Sequence, residues 1–199
     1  RDFFARTDPY FVITHAGTPK SPRAARFFVQ ETLDEYLQSL RGLSEVVESR
    51  NDTYLLVRFR PVWGFDDKVI QSLIRFSDKV ILFMQGSFAD TLSMSDLIVS
   101  FSSTTIEEAL QNNIPVLLYG GSGRHRYLEA QELAPGALFR RAPVYYASDK
   151  DSLSYGLDKI INSEVDGSAS KHFDGFRFTP DQISSVHSLW NEHILKGLH

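Results

Sequence analysis

Four hydroxyl side chains stand in a row where an apolar stretch gives way to a helical pattern. Ser102, Ser103, Thr104 and Thr105, here called the hydroxyl turn, follow "DLIVSF", and Glu108 comes three residues after Thr105. Hydroxyl groups and the N–H groups at the start of a helix can bind a phosphate group. Thr105 and Glu108 also have the spacing of a capping box, in which each side chain bonds to the other residue's backbone N–H. The segment is therefore predicted to be a helix cap, a phosphate site, or both.

Apolar runs alternate with helical patterns along the chain. Buried strands are predicted over 10–17, 53–61, 79–86, 96–103, 115–121 and 143–148. Helices are predicted over 24–49, 66–76, 105–111 and 149–161, and a last helix opens at Thr179. Strands that are apolar nearly throughout and separated by helices form parallel sheets covered on both faces. The predicted fold class is α/β, a Rossmann-like three-layer α/β/α domain with a mostly parallel sheet of about six strands.

The loops that follow these strands are rich in glycine and basic residues. They are "HAGTPKSP", "RFRPVWG", "QGSF" and "YGGSGRHR", whereas the opposite loops "SRND" and "QNNI" are ordinary turns. Parallel sheets bind ligands outside the carboxyl ends of their strands, and glycines let backbone N–H groups approach an anion. Basic side chains in these loops can offset phosphate charge; they are Lys20, Arg23, Arg60, Arg124 and Arg126. The pattern favours a small molecule that carries phosphate.

Metal and histidine sites find little support in the residue pattern. Asp149 and Asp151 form an Asp-x-Asp pattern, but they open a predicted helix, where carboxylates interact favourably with the helix dipole. Cysteine is absent, and His187 and His193 are six residues apart, so they do not share a helix face. His15 follows the first strand, yet a lone histidine is more often a structural hydrogen-bonding group. We expect no metal ion and no cofactor.

Composition limits the class of protein. A chain of 199 residues with 42% hydrophobic content suits a single domain over 1–199. A net charge of −4 without long runs of like charge indicates no nucleic-acid partner. No stretch approaches the length of a membrane-spanning helix, and the N-terminus lacks a signal-peptide pattern, so a soluble cytoplasmic protein is expected. Because the chain begins at Arg1, we expect it to be a piece of a longer protein.

The segment from Ser95 to Tyr119 resembles the donor-binding half of GT-B-fold glycosyltransferases, especially enzymes of bacterial surface and capsular polysaccharide biosynthesis. In that family a strand ends in a serine-rich turn, a helix carrying Glu-Ala-Leu follows, and Pro-Val begins the next strand. The residues on this pattern are Ser102, Ser103, Thr104, Glu108, Ala109, Leu110, Pro115 and Val116. Arg60 and Pro61 stand where related sequences often have His-Pro, and Asn113 and Ile114 replace a small or basic pair.

The resemblance implies one half of a GT-B fold that binds a nucleotide sugar as donor. It assigns the hydroxyl turn to the diphosphate, Glu108 to the ribose, and Gln85 and Gly86 to the neighbourhood of the base. Together with the loop residues, the predicted donor-binding set is Gly17, Thr18, Arg60, Gln85, Gly86, Ser102, Ser103, Thr104, Thr105, Glu108, Gly121 and Arg124. No catalytic base is assigned, because in the family it usually comes from the other half.

The whole enzyme is expected to transfer a sugar, or an alditol phosphate, to a glycan or lipid-linked acceptor. The acceptor would be held by a missing N-terminal domain or a partner subunit, on which a C-terminal helix over 176–199 could pack, so the isolated chain should bind donor better than it turns over. At most peripheral association with the inner face of the bacterial membrane is expected. Two alternatives stay open: a GT-B-like nucleotide-sugar epimerase, and a non-catalytic nucleotide-sugar-binding module.

Overall fold

The computed structural model describes residues 10–17, 31–62, 64–120, 128–164 and 173. Within these residues the strands are β1 (Phe11–Ala16), β2 (Thr53–Arg58), β3 (Val80–Leu82), β4 (Leu97–Ser100), β5 (Val116–Tyr119), β6 (Gln131–Glu132) and β7 (Val144–Ala147). The helices are α1 (Leu33–Glu48), α2 (Asp67–Leu73), α3 (Phe88–Leu92), α4 (Thr105–Gln111) and α5 (Lys150–Glu164).

The described strands form one sheet in the order β3-β2-β1-β4-β5-β7-β6, and every neighbouring pair is parallel. The chain starts in the middle of the sheet, moves outward to β3, and returns so that β4 lies beside β1. The direction of winding therefore reverses between β1 and β4. In open parallel sheets this reversal leaves a crevice at the carboxyl ends of the strands, where ligands bind.

Side chains of the central strands alternate between two apolar cores. Leu97 and Leu117 pack in the core formed with α1, α2 and α5, whereas Ile98 and Leu118 pack in the core formed with α3 and α4. Helices therefore cover both faces of the sheet, which explains why the strands are apolar nearly throughout. The predicted three-layer α/β/α fold is confirmed, and none of the helices in the described part of the chain combines the length and apolarity needed to span a bilayer.

The helix predicted over 24–49 begins too early. Thr32 caps α1: its hydroxyl accepts the Glu35 N–H at 3.3 Å, and the Glu35 carboxylate accepts the Thr32 N–H at 2.8 Å. This capping box makes the helix begin at Leu33, although the apolar spacing continues upstream. Residues 18–30, together with the helices predicted from Thr179 and over 176–199, lie outside the described residues.

The other differences concern short elements. Strand β6 spans two residues and helix α3 spans five, so neither is long enough to show a hydrophobic period. A capping box of Ser87 and Asp90 starts α3. The sheet consequently has seven described strands instead of about six. Helix α4 covers 105–111 as predicted, α2 ends at Leu73, and α5 continues to Glu164.

Candidate functional site

A cavity of about 530 Å³ lies at the carboxyl ends of the strands around the β1–β4 reversal and is here called the β1–β4 cavity. Its lining comprises Ala16, Gly17, Arg58, Phe59, Arg60, Pro61, Met84, Phe88, Ser102, Ser103, Thr104, Thr105 and Glu108. The fold thus brings together Gly17, Arg60, the whole hydroxyl turn and Glu108 from the predicted donor-binding set. Gln85 and Gly86 follow the lining residue Met84 without lining the cavity themselves. Thr18, Gly121 and Arg124 lie outside the described residues.

The hydroxyl turn leads directly into α4. Thr104 is the N-cap residue with a helical backbone, and its side chain makes no capping hydrogen bond. Ser103 takes over part of that role, because its hydroxyl accepts the Thr105 N–H at 3.3 Å and its carbonyl accepts the Ile106 N–H at 3.1 Å. The Thr105 hydroxyl instead donates to the Ala16 carbonyl at 3.5 Å, across the β1–β4 reversal. The turn is therefore tied to the end of β1.

The capping box expected from Thr105 and Glu108 does not form. Thr105 is the first helical residue and not the cap, so the Glu108 carboxylate has no cap residue at the required spacing. Glu108 is exposed and lines the cavity. Its carboxylate can accept hydrogen bonds from hydroxyl groups of a ligand.

Ser102 has a structural contact besides its position in the cavity wall. Its hydroxyl oxygen accepts the backbone N–H of Glu31 at 3.4 Å, which links the start of α1 to the hydroxyl turn. Because a hydroxyl group also carries one hydrogen to donate, this contact leaves Ser102 able to donate to an anion.

Side chains missed by the sequence reasoning line the other end of the cavity. Arg58 ends β2, and its guanidinium donates to the Gln85 carbonyl and to the Gly86 carbonyl, each at 2.7 Å. Phe59, Pro61, Met84 and Phe88 supply apolar surface. Arg58 and Phe59 belong to the loop "RFRPVWG" that was expected at this edge, so their position was the available signal. No signal in the sequence indicates that Arg58 contacts a turn 27 residues later.

The two ends of the cavity differ in polarity. Strand order puts β3 and β2 beside its apolar residues, with Arg58 and Arg60 also at the end of β2, and puts β4 beside the hydroxyl turn. Neighbouring strands lie about 4.8 Å apart, so β3 and β4 are about 14 Å apart along the sheet edge. A ligand with a flat apolar group at one end and a charged group at the other matches this division.

Three polar side chains close to the lining residue Gly17 are buried. Among the described residues, His15 Nδ1, the Tyr36 hydroxyl and the Ser100 hydroxyl have no hydrogen-bond partner. The His15 ring lies edge-on to Tyr36 with 5.1 Å between centroids. Burial lowers the pKa of His15 to about 4, and burial together with the nearby Glu31 charge raises the pKa of Tyr36. His15 is therefore a neutral core residue at pH 7 and does not line the cavity.

Comparisons with known proteins identify relatives of the fold. No protein-family model matches the sequence, and no curated protein is similar to it in sequence. The structure is similar to UDP-GlcNAc 2-epimerase from Neisseria meningitidis bound to UDP-GlcNAc, with a TM-score of 0.56, 16% identity, and coverage of 93% of this chain and 45% of that chain. The MnaA–UDP structure from S. aureus gives a TM-score of 0.51 at 12% identity, covering 96% and 48%.

A third neighbour is a variant of the wall teichoic acid polymerase TagF soaked with CDPG, with a TM-score of 0.50 at 13% identity, covering 96% of this chain and 43% of that one. The chain therefore has the Rossmann-like α/β fold of one half of the GT-B architecture. The chain spans less than half of the length of each of these neighbours. At such low identity, the similarity shows the fold alone. The chemistry of the site has to be inferred from the residues of this chain.

The chain has a second cavity of about 450 Å³ outside the ends of β5 and β7, here called the β5–β7 cavity. Its charged lining residues are Glu35, Arg41, Glu45, Asp149 and Lys150. Lys150 pairs with Glu45. The predicted helix-start role of Asp149 is confirmed, because its carboxylate accepts the N–H of Ser152 at 2.8 Å.

Hydrogen bonds from the backbone and side chain of Ser152 and from the Ser148 hydroxyl hold the pKa of Asp149 below its usual range. In the part of the chain that the structure describes, no group of three or more carboxylate or histidine side chains is arranged to hold a metal ion. The Asp149 carboxylate thus caps the start of its own helix, α5.

Proposed function

We propose that this chain is the nucleotide-sugar donor-binding half of a glycosyltransferase of surface-glycan biosynthesis. The single observation that carries the proposal is the β1–β4 cavity, in which Arg60, Glu108 and the hydroxyl turn meet where the sheet winding reverses. That crevice is the general ligand position of open parallel sheets. A nucleotide sugar combines a flat base, ribose hydroxyls and a diphosphate, and the cavity offers an apolar end, a carboxylate and a row of hydroxyls.

The diphosphate would lie against the hydroxyl turn. Ser102 and Thr104 can donate hydrogen bonds to its oxygens, while Arg60 supplies positive charge at the same cavity. During sugar transfer the leaving diphosphate gains negative charge, and donors that are already oriented stabilise it without reorganisation. The chemical contribution of this half would therefore be electrostatic.

The nucleoside would extend toward β2 and β3. Glu108 can accept hydrogen bonds from both ribose hydroxyls, because a carboxylate has two acceptor oxygens. Phe88, Met84 and Pro61 would contact the base, with Gln85 at its edge. The missing half of the protein would bind a glycan or lipid-linked acceptor and supply the catalytic base, at the cytoplasmic face of the membrane. Donor binding would need no metal ion.

A nucleotide-sugar epimerase is the second candidate, since a neighbour with a TM-score of 0.56 is a UDP-GlcNAc 2-epimerase. Both candidates use the same donor half and differ in what the other half does. The full-length protein separates them. An epimerase converts the nucleotide sugar alone into its isomer, whereas a transferase releases nucleoside diphosphate only when an acceptor is present. Binding without either reaction would indicate a non-catalytic module.

Calorimetric titration of the 199-residue chain with UDP, CDP, GDP and ADP tests the proposal. At least one nucleotide should bind with a Kd below about 1 mM, which corresponds to about 4 kcal/mol. The proposal is wrong if no nucleoside diphosphate binds either this chain or the full-length protein.

A further inference from the structure

Arg58 holds a tight turn at the apolar end of the β1–β4 cavity. The turn comprises Gln85, Gly86 and Ser87 and is called the 85–87 turn. The Arg58 guanidinium donates one hydrogen bond to the Gln85 carbonyl and one to the Gly86 carbonyl, both at 2.7 Å. A planar guanidinium presents its donors in a fixed fork, so two consecutive carbonyls fix its direction and are fixed by it.

The same turn is held from its other side by α3. Asp90 accepts the N–H of Ser87 at 2.7 Å and the Ser87 hydroxyl at 2.8 Å. Gly86 has φ +68°, and a Cβ there would come within 2.8 Å of the Asp90 carboxylate. The backbone of the 85–87 turn therefore has one conformation that satisfies both Arg58 and Asp90, and only glycine suits position 86.

This arrangement decides which groups the turn offers to a ligand. The carbonyls of Gln85 and Gly86 are already bonded to Arg58. The Gln85 side chain is exposed, and its amide has no hydrogen-bond partner among the described residues. An amide side chain carries both an acceptor oxygen and donor hydrogens, so it can pair with a base edge that presents one of each.

We infer that Arg58 is a positioning residue for base recognition: it fixes the 85–87 turn, next to the lining residue Met84, so that the exposed Gln85 amide selects one nucleobase at the apolar end of the β1–β4 cavity. The inference rests on the proposed function. A site that hydrogen-bonds a particular ligand edge rejects ligands without that edge, because its own polar groups are then left unpaired. Losing the fixed turn should therefore reduce the preference between bases more than the binding of phosphate.

A different role would make Arg58 a direct diphosphate ligand, since it also lines the cavity. The two roles predict different results for a ligand without a base. Inorganic pyrophosphate is that probe. A phosphate ligand contributes to pyrophosphate binding, whereas a residue that positions the base-reading turn does not.

The experiment compares four chains by calorimetry with UDP, CDP, GDP, ADP and pyrophosphate: the wild type, Arg58→Lys, Gly86→Ala and Arg75→Lys. Lysine keeps the charge but cannot make both bonds of the fork. Alanine at position 86 disturbs the turn without touching Arg58. Arg75 is exposed and lies outside the β1–β4 cavity, so it is the matched control.

The wild type should prefer one base by about tenfold or more, in line with hydrogen-bond readout. Arg58→Lys and Gly86→Ala should both reduce that ratio to about threefold or less, with pyrophosphate binding changed less than about twofold. Arg75→Lys should leave every value unchanged. The Gly86→Ala result keeps the test decisive if Arg58→Lys fails to fold.

Three results would overturn the inference while leaving the proposed function intact. They are a wild type that binds all four nucleotides equally, variants that keep the wild-type preference, and an Arg58→Lys chain that loses pyrophosphate and every nucleotide by the same factor. A wild type, alone or in the full-length protein, that binds no nucleotide would reject the proposed function and the inference with it.

Discussion

The β1–β4 cavity and the β5–β7 cavity open at the same edge of one sheet and have similar volumes, about 530 and about 450 Å³. Their charged linings differ. Two arginines and one glutamate line the first cavity, and it also holds the hydroxyl turn. Three carboxylates and two cations line the second, where Lys150 is paired with Glu45 and Asp149 caps α5.

The fold places both cavities at the carboxyl edge of the parallel sheet. Their lining side chains determine which of them can bind an anion. In the β5–β7 cavity the Lys150–Glu45 ion pair joins α5 to α1. In the β1–β4 cavity Glu108 makes no comparable ion pair within the described residues. Variants that place a charge in one cavity or the other test which of the two cavities binds an anion.

The largest effect is expected from a negative charge placed in each cavity in turn. Thr104→Glu adds a carboxylate beside the proposed diphosphate site, and Gln38→Glu adds one to the β5–β7 cavity; both positions are exposed. Thr104→Glu should weaken nucleotide binding by about a hundredfold, or about 3 kcal/mol, through like-charge repulsion. Gln38→Glu should change binding less than about twofold. Calorimetry measures both.

Thr104→Glu should not unfold the chain, because a carboxylate is favourable in the first turn of a helix. Equal losses for the two variants would remove the distinction between the cavities. A larger loss for Gln38→Glu would move the nucleotide site to the β5–β7 cavity.

Acid should destabilise the chain through His15, which is buried in β1 next to the lining residue Ala16. Its folded pKa of about 4 lies below its ordinary value of 6.5, so the unfolded chain takes up the proton first as pH falls. The stabilisation is complete above about pH 6.5 and is lost toward pH 4. Between pH 6.5 and pH 5 the free energy of unfolding should fall by about 1.5 kcal/mol.

Denaturant unfolding at several pH values measures this loss. His15→Phe should remove the slope in that window, whereas Tyr36→Phe, which changes a neighbouring ring without a titrating group there, should keep it. A wild-type stability that is flat between pH 6.5 and pH 5 would contradict the burial of a neutral His15.

A smaller effect is expected at Glu108. Glu108→Gln leaves one acceptor oxygen where the carboxylate has two and removes the charge, so nucleotide binding should weaken about tenfold, or about 1.4 kcal/mol. The melting temperature should stay nearly unchanged, because Glu108 forms no capping box. Glu107→Gln, on the same helix but outside the cavity lining, is the control and should change neither quantity. A lower melting temperature with intact affinity would assign Glu108 a structural role.

The smallest effect is expected from removing metal ions. Asp149 already caps α5, so EDTA should change nucleotide affinity less than about twofold. Titrations with and without EDTA, followed by addition of Mg²⁺ or Mn²⁺, measure the change. Nucleotide binding that needs Mg²⁺ or Mn²⁺ and is lost in Asp149→Asn would instead place the diphosphate in the β5–β7 cavity.

The sequence predicts the parts of this fold that are governed by continuous local pattern. Helix α4 is found at its bounds and the central strands are recognised, because each shows its apolar pattern over neighbouring residues. The start of α1 is missed because the Thr32 capping box sets it, whereas the apolar spacing extends further upstream. Helix α3 and strand β6 are missed because they are too short to show a hydrophobic period.

The candidate site divides in the same way. The hydroxyl turn and Glu108 are found because they lie within seven residues of one another. The contacts of Arg58 with Gln85 and Gly86 and the burial of His15 in β1 depend on how strands pair. The β5–β7 cavity joins α1 to the start of α5, more than a hundred residues later, and no local pattern announces it.

Amide NMR spectra of the ¹⁵N-labelled chain, recorded while its preferred nucleoside diphosphate is added, show directly whether the nucleotide binds in the β1–β4 cavity. If the nucleotide binds in the β1–β4 cavity, the signals of Gly17, Ser103 and Glu108 shift to saturation and fit a single Kd, while those of Gly42 and Lys150 stay in place. Saturating shifts centred on Gly42 and Lys150, with the signals of the hydroxyl turn unmoved, would contradict this placement.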